Sequence, residues 1–105
     1  MDCDLDALKA QHGEIFELAV DLGEDGGLVT AIVRRPGRAQ FARFTKDGVS
    51  DPLRAMHHLF FDCLVHPEAA EIQRLFERYP GVLMSFANRL LGMAKANLEV
   101  LEKKL

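Results

Sequence analysis

Residues 80–105 read PGVLMSFANRLLGMAKANLEVLEKKL, and after Gly81 only a tolerable Gly92 interrupts a helical reading. Two apolar stripes run along it. Met84, Ala87, Leu91, Ala94, Leu98, Leu101 and Leu105 recur at steps of three and four. Leu83, Phe86, Leu90 and Met93 do the same one residue behind, until Asn97 intervenes and Val100 resumes. Adjacent helical residues stand about 100° apart, so the stripes merge into one broad apolar sector. A helix on the edge of a small core needs only one. We expect Leu83, Phe86, Leu90 and Met93 to face the chain's own core and the stripe from Leu91 to Leu105 to face a partner. As one helix, the stretch would span about 39 Å at about 1.5 Å per residue. A compact chain of this length has a radius of gyration near 13 Å, so the last turns would project.

Upstream, the sequence sets out what lies under this helix. Asp4 is placed to cap a short helix bearing Leu5 and Leu8, and Gly13 to close it. From Glu14 to Leu22, Phe16, Leu18, Val20 and Leu22 alternate with Glu17, Ala19 and Asp21, the period of a half-buried strand. Gly23-Glu24-Asp25-Gly26-Gly27 supplies positive φ angles for a hairpin turn, and the β-branched run Leu28–Arg34 returns. Such a hairpin is marginal alone, so it lies on helices or pairs across a subunit boundary through an open edge. Val29, Ala31 and Val33 on that edge, with Leu91, Ala94, Leu98, Leu101 and Leu105 on the last helix, are the expected partner or oligomer interface.

Arg38 to Lys46 reads as a short helix with Phe41 and Phe44 inward. Ser50-Asp51-Pro52 starts another from Leu53 to Val65, apolar over most of its circumference and therefore expected to be the most buried. His66-Pro67 breaks it, because a residue before proline avoids the α region. A fourth helix then runs to Tyr79, with Ile72, Leu75, Phe76 and Tyr79 inward. The expected architecture is α+β and one domain over residues 1–105: a short helix and β-hairpin in 1–36, then a bundle of about four helices in 37–105.

Composition narrows the function classes. The net charge of −3 disfavours a dedicated nucleic-acid binder, although Arg34, Arg35, Arg38, Arg43 and Lys46 are clustered. No apolar run can span a bilayer. The acidic N-terminus, Met-Asp-Cys-Asp-Leu-Asp, lacks the regions of a signal peptide, so we expect a cytoplasmic protein with Cys3 and Cys63 as free thiols. His58, Asp62 and His66 share one helical face and carry donors that zinc accepts. Three ligands over two turns of one helix converge poorly on an ion, however, and with Arg54 they read equally as a solvated polar stripe. The chain's two serines, Ser50 and Ser85, sit in no nucleophile elbow, and no glycine loop precedes a lysine at a helix start. We expect no catalytic residue, no metal and no cofactor.

The order helix, hairpin, Arg-Pro step, then helices broken at His-Pro and Tyr-Pro-Gly resembles the small tail assembly chaperones of tailed phages and prophages. The resemblance is carried by Lys9-Ala10-Gln11-His12-Gly13-Glu14-Ile15-Phe16, by Val33-Arg34-Arg35-Pro36-Gly37-Arg38-Ala39-Gln40-Phe41, and by His66-Pro67 and Tyr79-Pro80-Gly81. Gly37 departs from it, since a Ser or Thr cap is expected there. The resemblance implies a non-enzymatic α+β chaperone in the bacterial host cytoplasm. Such a protein binds the aggregation-prone tape measure protein, keeps it soluble during tail morphogenesis and forms homo-oligomers. Nucleic-acid and membrane partners are not expected. An oligomeric interaction or regulatory module with an unrelated client, and a metal-binding protein using His58, Asp62 and His66, are the alternatives.

Overall fold

The computed structural model describes residues 4–96 and 98–105; Cys3 and Asn97 lie outside the described residues. The described residues form α1 (Leu5–His12), β1 (Ile15–Asp21), β2 (Leu28–Arg34), α2 (Arg38–Gly48), α3 (Pro52–Cys63), β3 (Leu64–His66), α4 (Ala69–Arg78) and α5 (Pro80–Met93). This is the expected α+β architecture, with a short N-terminal helix, a hairpin and four further helices.

Local chemistry sets most boundaries. Asp4 Oδ1 accepts a hydrogen bond from the Ala7 amide at 3.1 Å, and Gly13, at φ 76°, donates its N–H to Lys9 O to close α1. In the hairpin turn Gly23 and Gly27 take positive φ while Gly26 does not, and Asp21 Oδ1 accepts the Gly23 amide at 2.8 Å. Asp51 caps α3 by accepting the Arg54 amide at 3.1 Å, with Pro52 in the first turn. At the start of α2, Gly37 has no capping side chain. Gln40 reaches back instead, and its Oε1 accepts the Gly37 amide at 2.9 Å. A Cβ at position 37 would crowd that same oxygen.

The sheet differs from the expectation in one respect that matters. Leu64–His66 leave the helical path and form β3, antiparallel to β2, so the strand order is β1-β2-β3. The cis His66–Pro67 peptide follows. The hairpin pairs Phe16 with Val33, Leu18 with Ala31 and Val20 with Val29, all on the face toward the helices. β2 is thus the central strand, paired with β1 along its length on one side and with β3 at Ile32 and Val33 on the other. Of the three residues expected at an interface edge, Ala31 and Val33 have side chains buried in the chain's own core and Val29 is half-buried. That core is completed by Leu59, Phe60 and Cys63 of α3, Ile72 and Phe76 of α4, and Val82, Leu83, Phe86 and Leu90 of α5.

The last helix stops at Met93, twelve residues before Leu105. The Ala96 amide donates to Leu91 O and the Lys95 amide to Gly92 O, both at 3.0 Å, the paired bonds of a Schellman closure. Lys95 occupies its left-handed position at φ 61°, where glycine is usual. Arg35 Nη1 donates to Met93 O at 3.2 Å and satisfies a further free carbonyl of this helix end. As expected, Leu83, Phe86 and Leu90 face the core, and Met93 packs against its margin. Beyond it Leu98, Leu101 and Leu105 of the second stripe are exposed, and a helix with no packed face is marginal in water. Because an L side chain in the left-handed region costs roughly 1–2 kcal/mol, Lys95→Gly is expected to raise stability by about 0.5–1 kcal/mol after the entropic loss of glycine is included. Urea unfolding of the pair would show it; a destabilised variant would refute the closure.

Candidate functional site

Among the described residues, two exposed apolar surfaces lie at opposite ends of α5. The first is a groove of about 360 Å³ where the start of α3 meets the α4–α5 junction. Leu53, Phe76, Pro80 and Leu83 supply its apolar lining, and Asp51, Arg54 and His57 its polar side along α3. Pro80 and Leu83 are placed there because Tyr79-Pro80 turns the chain from α4 directly into α5. Leu53 is 59% exposed beside this groove, and Met84, one residue past Leu83, is 48% exposed. An apolar lining flanked by polar side chains along one edge suits an amphipathic helix.

The second surface is segment 98–105. Leu98 is 65%, Val100 and Leu101 87%, and Leu105 106% exposed. The radius of gyration, 15.3 Å, exceeds the roughly 13 Å expected of a compact chain of this size. The longest dimension, 58 Å against 32 and 25 Å for the others, has room for eight extended residues, which reach about 26 Å. Leu91 and Ala94 are only half-buried at the end of the helix. Of the expected interface residues, Leu98, Leu101 and Leu105 are exposed, whereas Ala31 and Val33 are buried in the core and Val29 is half-buried.

The histidine line is not preserved. α3 ends at Cys63, so His66 stands on β3 and leaves the face shared by His58 and Asp62. His58 Nδ1 lies 3.3 Å from Asp47 Oδ2, and Arg43 Nη1 donates to Asp62 Oδ2 at 3.2 Å. These groups form the polar seam between α2 and α3 rather than a stripe open to water. Among the described residues no group of three His, Cys, Asp or Glu side chains is placed to hold a metal ion. His57 is partly buried, with Nε2 3.0 Å from Gln73 Oε1.

The basic cluster is mostly engaged within the fold. Arg34 Nη2 donates to the Asp62 carbonyl at 2.6 Å, so two successive arginines of β2 and its exit, Arg34 and Arg35, serve the C-terminal ends of α3 and α5. Arg35 also pairs with Glu14 at 3.2 Å and lies 5.1 Å over the Phe16 ring. Ser85 Oγ donates to Gly81 O within its own helix, and Ser50 Oγ donates to Asp47 O. Burial pushes the Cys63 thiol up to about 11, with Arg34 opposing and Asp62 adding to the rise. A buried neutral thiol is a poor nucleophile.

The groove itself is not evident in the sequence, where Leu53 falls on the helix expected to be the most buried. Its signal was nonetheless present: α3 is apolar over more of its circumference than one core can cover. No helix among the described residues is long and apolar enough to cross a membrane.

Comparison with known proteins gives a family and a structural neighbour. The family described as "Domain of unknown function (DUF6848)" matches residues 8–103. A solved structure of the uncharacterised protein rbstp2171 from Bacillus stearothermophilus is similar at 29% sequence identity and a TM-score of 0.81, covering 95% of this chain and 100% of that one. No curated protein matches the chain. The chain belongs to the DUF6848 family.

Proposed function

We propose that this DUF6848 member is a non-enzymatic binding protein that holds apolar helical segments of a client in the groove beside Leu53. By its likeness to tail assembly chaperones, we assign the client as a phage tape measure protein, kept soluble in the host cytoplasm while the tail assembles. The observation that carries the reading is the groove itself: an apolar channel at a helix junction, flanked by an exposed leucine. Such a channel accepts many apolar sequences because its contacts are with side-chain volume rather than with specific hydrogen bonds. Self-association belongs to the same reading, since segment 98–105 presents apolar surface that this chain does not cover.

The test is co-expression with a tape measure fragment. The wild-type chain is expected to keep the fragment in the soluble fraction, and Leu53→Glu to lose most of that effect while remaining folded, because Leu53 is exposed. A fragment that precipitates equally with and without the wild-type chain would overturn the assignment. An unrelated helical protein serves as control, since retention of that protein but not of the tape measure fragment would point to a general interaction module.

A further inference from the structure

We infer that segment 98–105 of a second copy occupies the groove beside Leu53, so that chains associate head to tail. The inference rests on the groove being a binding site for apolar helical segments, and it adds the identity of one occupant. Three observations point to it. The segment's leucines stand at 98, 101 and 105, the spacing of one helix face, and they are unpartnered in the single chain. The groove opens at Pro80 and Leu83, at the start of α5, while the segment follows Met93 at the opposite end. Fourteen residues of α5 separate the two ends by about 21 Å.

The third observation is charge. Asp51, Arg54 and His57 line the groove one turn apart along α3. The segment carries Glu99 and Glu102, also one helical turn apart, followed by Lys103 and Lys104. Laid along α3 as a helix, it places Glu102 beside Arg54 with Glu99 one turn away on the same flank, and directs the leucines at Phe76 and Leu83. Among the described residues Arg54 makes no ion pair, whereas Arg35 and Arg43 do.

A groove on one chain and a segment on another form a heterologous interface, which grows into a ring or an open filament according to the rotation per step. It also shields the groove. A longer apolar helix from a client then competes with a neighbour's segment, and client binding takes the assembly apart.

The experiment is light scattering on five purified chains. Wild type is expected to have a mass above the 11.8 kDa of one chain. Leu53→Glu, which blocks the groove, and Leu101→Glu, which blocks the segment, are each expected to fall to one chain. Mixed in equal amounts, these two restore a single working interface and give a dimer of one chain of each kind. Arg54→Glu is expected to weaken association about tenfold, and Arg54→Glu with Glu102→Arg to recover it. Circular dichroism checks that every variant is folded. A monomeric wild type, a Leu53→Glu chain that stays associated, or a mixture that stays monomeric overturns the inference. Failure of the client assay with a successful mixture would remove the proposed function and leave the head-to-tail contact standing.

Discussion

Phe60→Ala is expected to bring this protein close to unfolding at room temperature. Phe60 is fully buried and stands at the centre of an aromatic cluster drawn from three helices. Its ring stacks on Phe86 of α5 with centroids 5.5 Å apart and an interplanar angle of 11°. It meets Phe76 of α4 edge-on at 5.1 Å and Phe61 of its own helix at 5.3 Å. Truncating a buried phenylalanine to alanine costs about 3–5 kcal/mol, the lost transfer energy plus the cavity left behind. A domain holds only about 5–15 kcal/mol in total. For a chain of this size the corresponding fall in Tm is about 15–30 °C. Phe60→Leu keeps most of the volume and is expected to cost less than about 1.5 kcal/mol. Thermal unfolding of the three proteins decides the matter. A loss under about 1 kcal/mol for the alanine variant would mean that α3, α4 and α5 are not joined through this ring.

The effect matters for function because the same cluster sets the groove. Phe76 touches Phe60 and Phe86 and also lines the groove, so its ring is shared between core and surface. The groove is therefore preformed by packing and does not have to be opened by a ligand. Leu53 can be changed without disturbing that packing, whereas Phe76 cannot, which is why the binding tests use Leu53.

Those parts of the fold governed by neighbouring residues were legible in the sequence. Alternation from Phe16 to Asp21 identified the strand and its inward face, and Asp4, Gly13 and Asp51-Pro52 marked helix ends that the hydrogen bonds confirm. The departures arise where a distant partner decides. Leu59 to Val65 is a nearly continuous apolar run, which suits a buried helix and a buried strand equally. Only pairing with Ile32 and Val33, some thirty residues earlier, turns Leu64–His66 into β3. Once β3 is missed, β2 looks like an edge, and Ala31 and Val33 look available to a partner. The end of α5 was hidden for a different reason. Its closure uses Lys95 in the left-handed region, where the usual glycine signal is absent. Of the second stripe, Ala87 and Leu91 join the chain's own packing, while Leu98, Leu101 and Leu105 are exposed on a segment without regular structure. Of the groove residues, Phe76 and Leu83 were assigned to the core and Leu53 to the most buried helix, since a sequence pattern does not distinguish a residue under a helix from one at its margin.

Cys63 provides the second large expected effect, and it concerns a group that function leaves unused. The thiol is 1% exposed at the end of α3, and burial pushes it from an ordinary value of 9.0 to about 11. At pH 8 the thiolate population is then about 100-fold smaller in the folded protein than in the unfolded chain, at tenfold per pH unit. In a Cys3→Ser background, iodoacetamide should label Cys63 at least about 100-fold more slowly in the native protein than in urea, with burial adding to the difference. The same shift fixes a pH dependence. Because the folded value lies above the unfolded one, the contribution to stability is complete below pH 9 and is lost as pH rises toward 11. Its size is about 2–3 kcal/mol. Cys63→Ala removes the titrating group, so its stability should fall less steeply across that window than that of the wild type, whatever cavity cost it carries at neutral pH. Parallel pH profiles for the two proteins, or native labelling as fast as in urea, would show that the α3–β3 junction opens readily to solvent. A junction that stays closed keeps Asp62 and its carbonyl in place for Arg43 and Arg34, and with them the position of α3 beneath the groove.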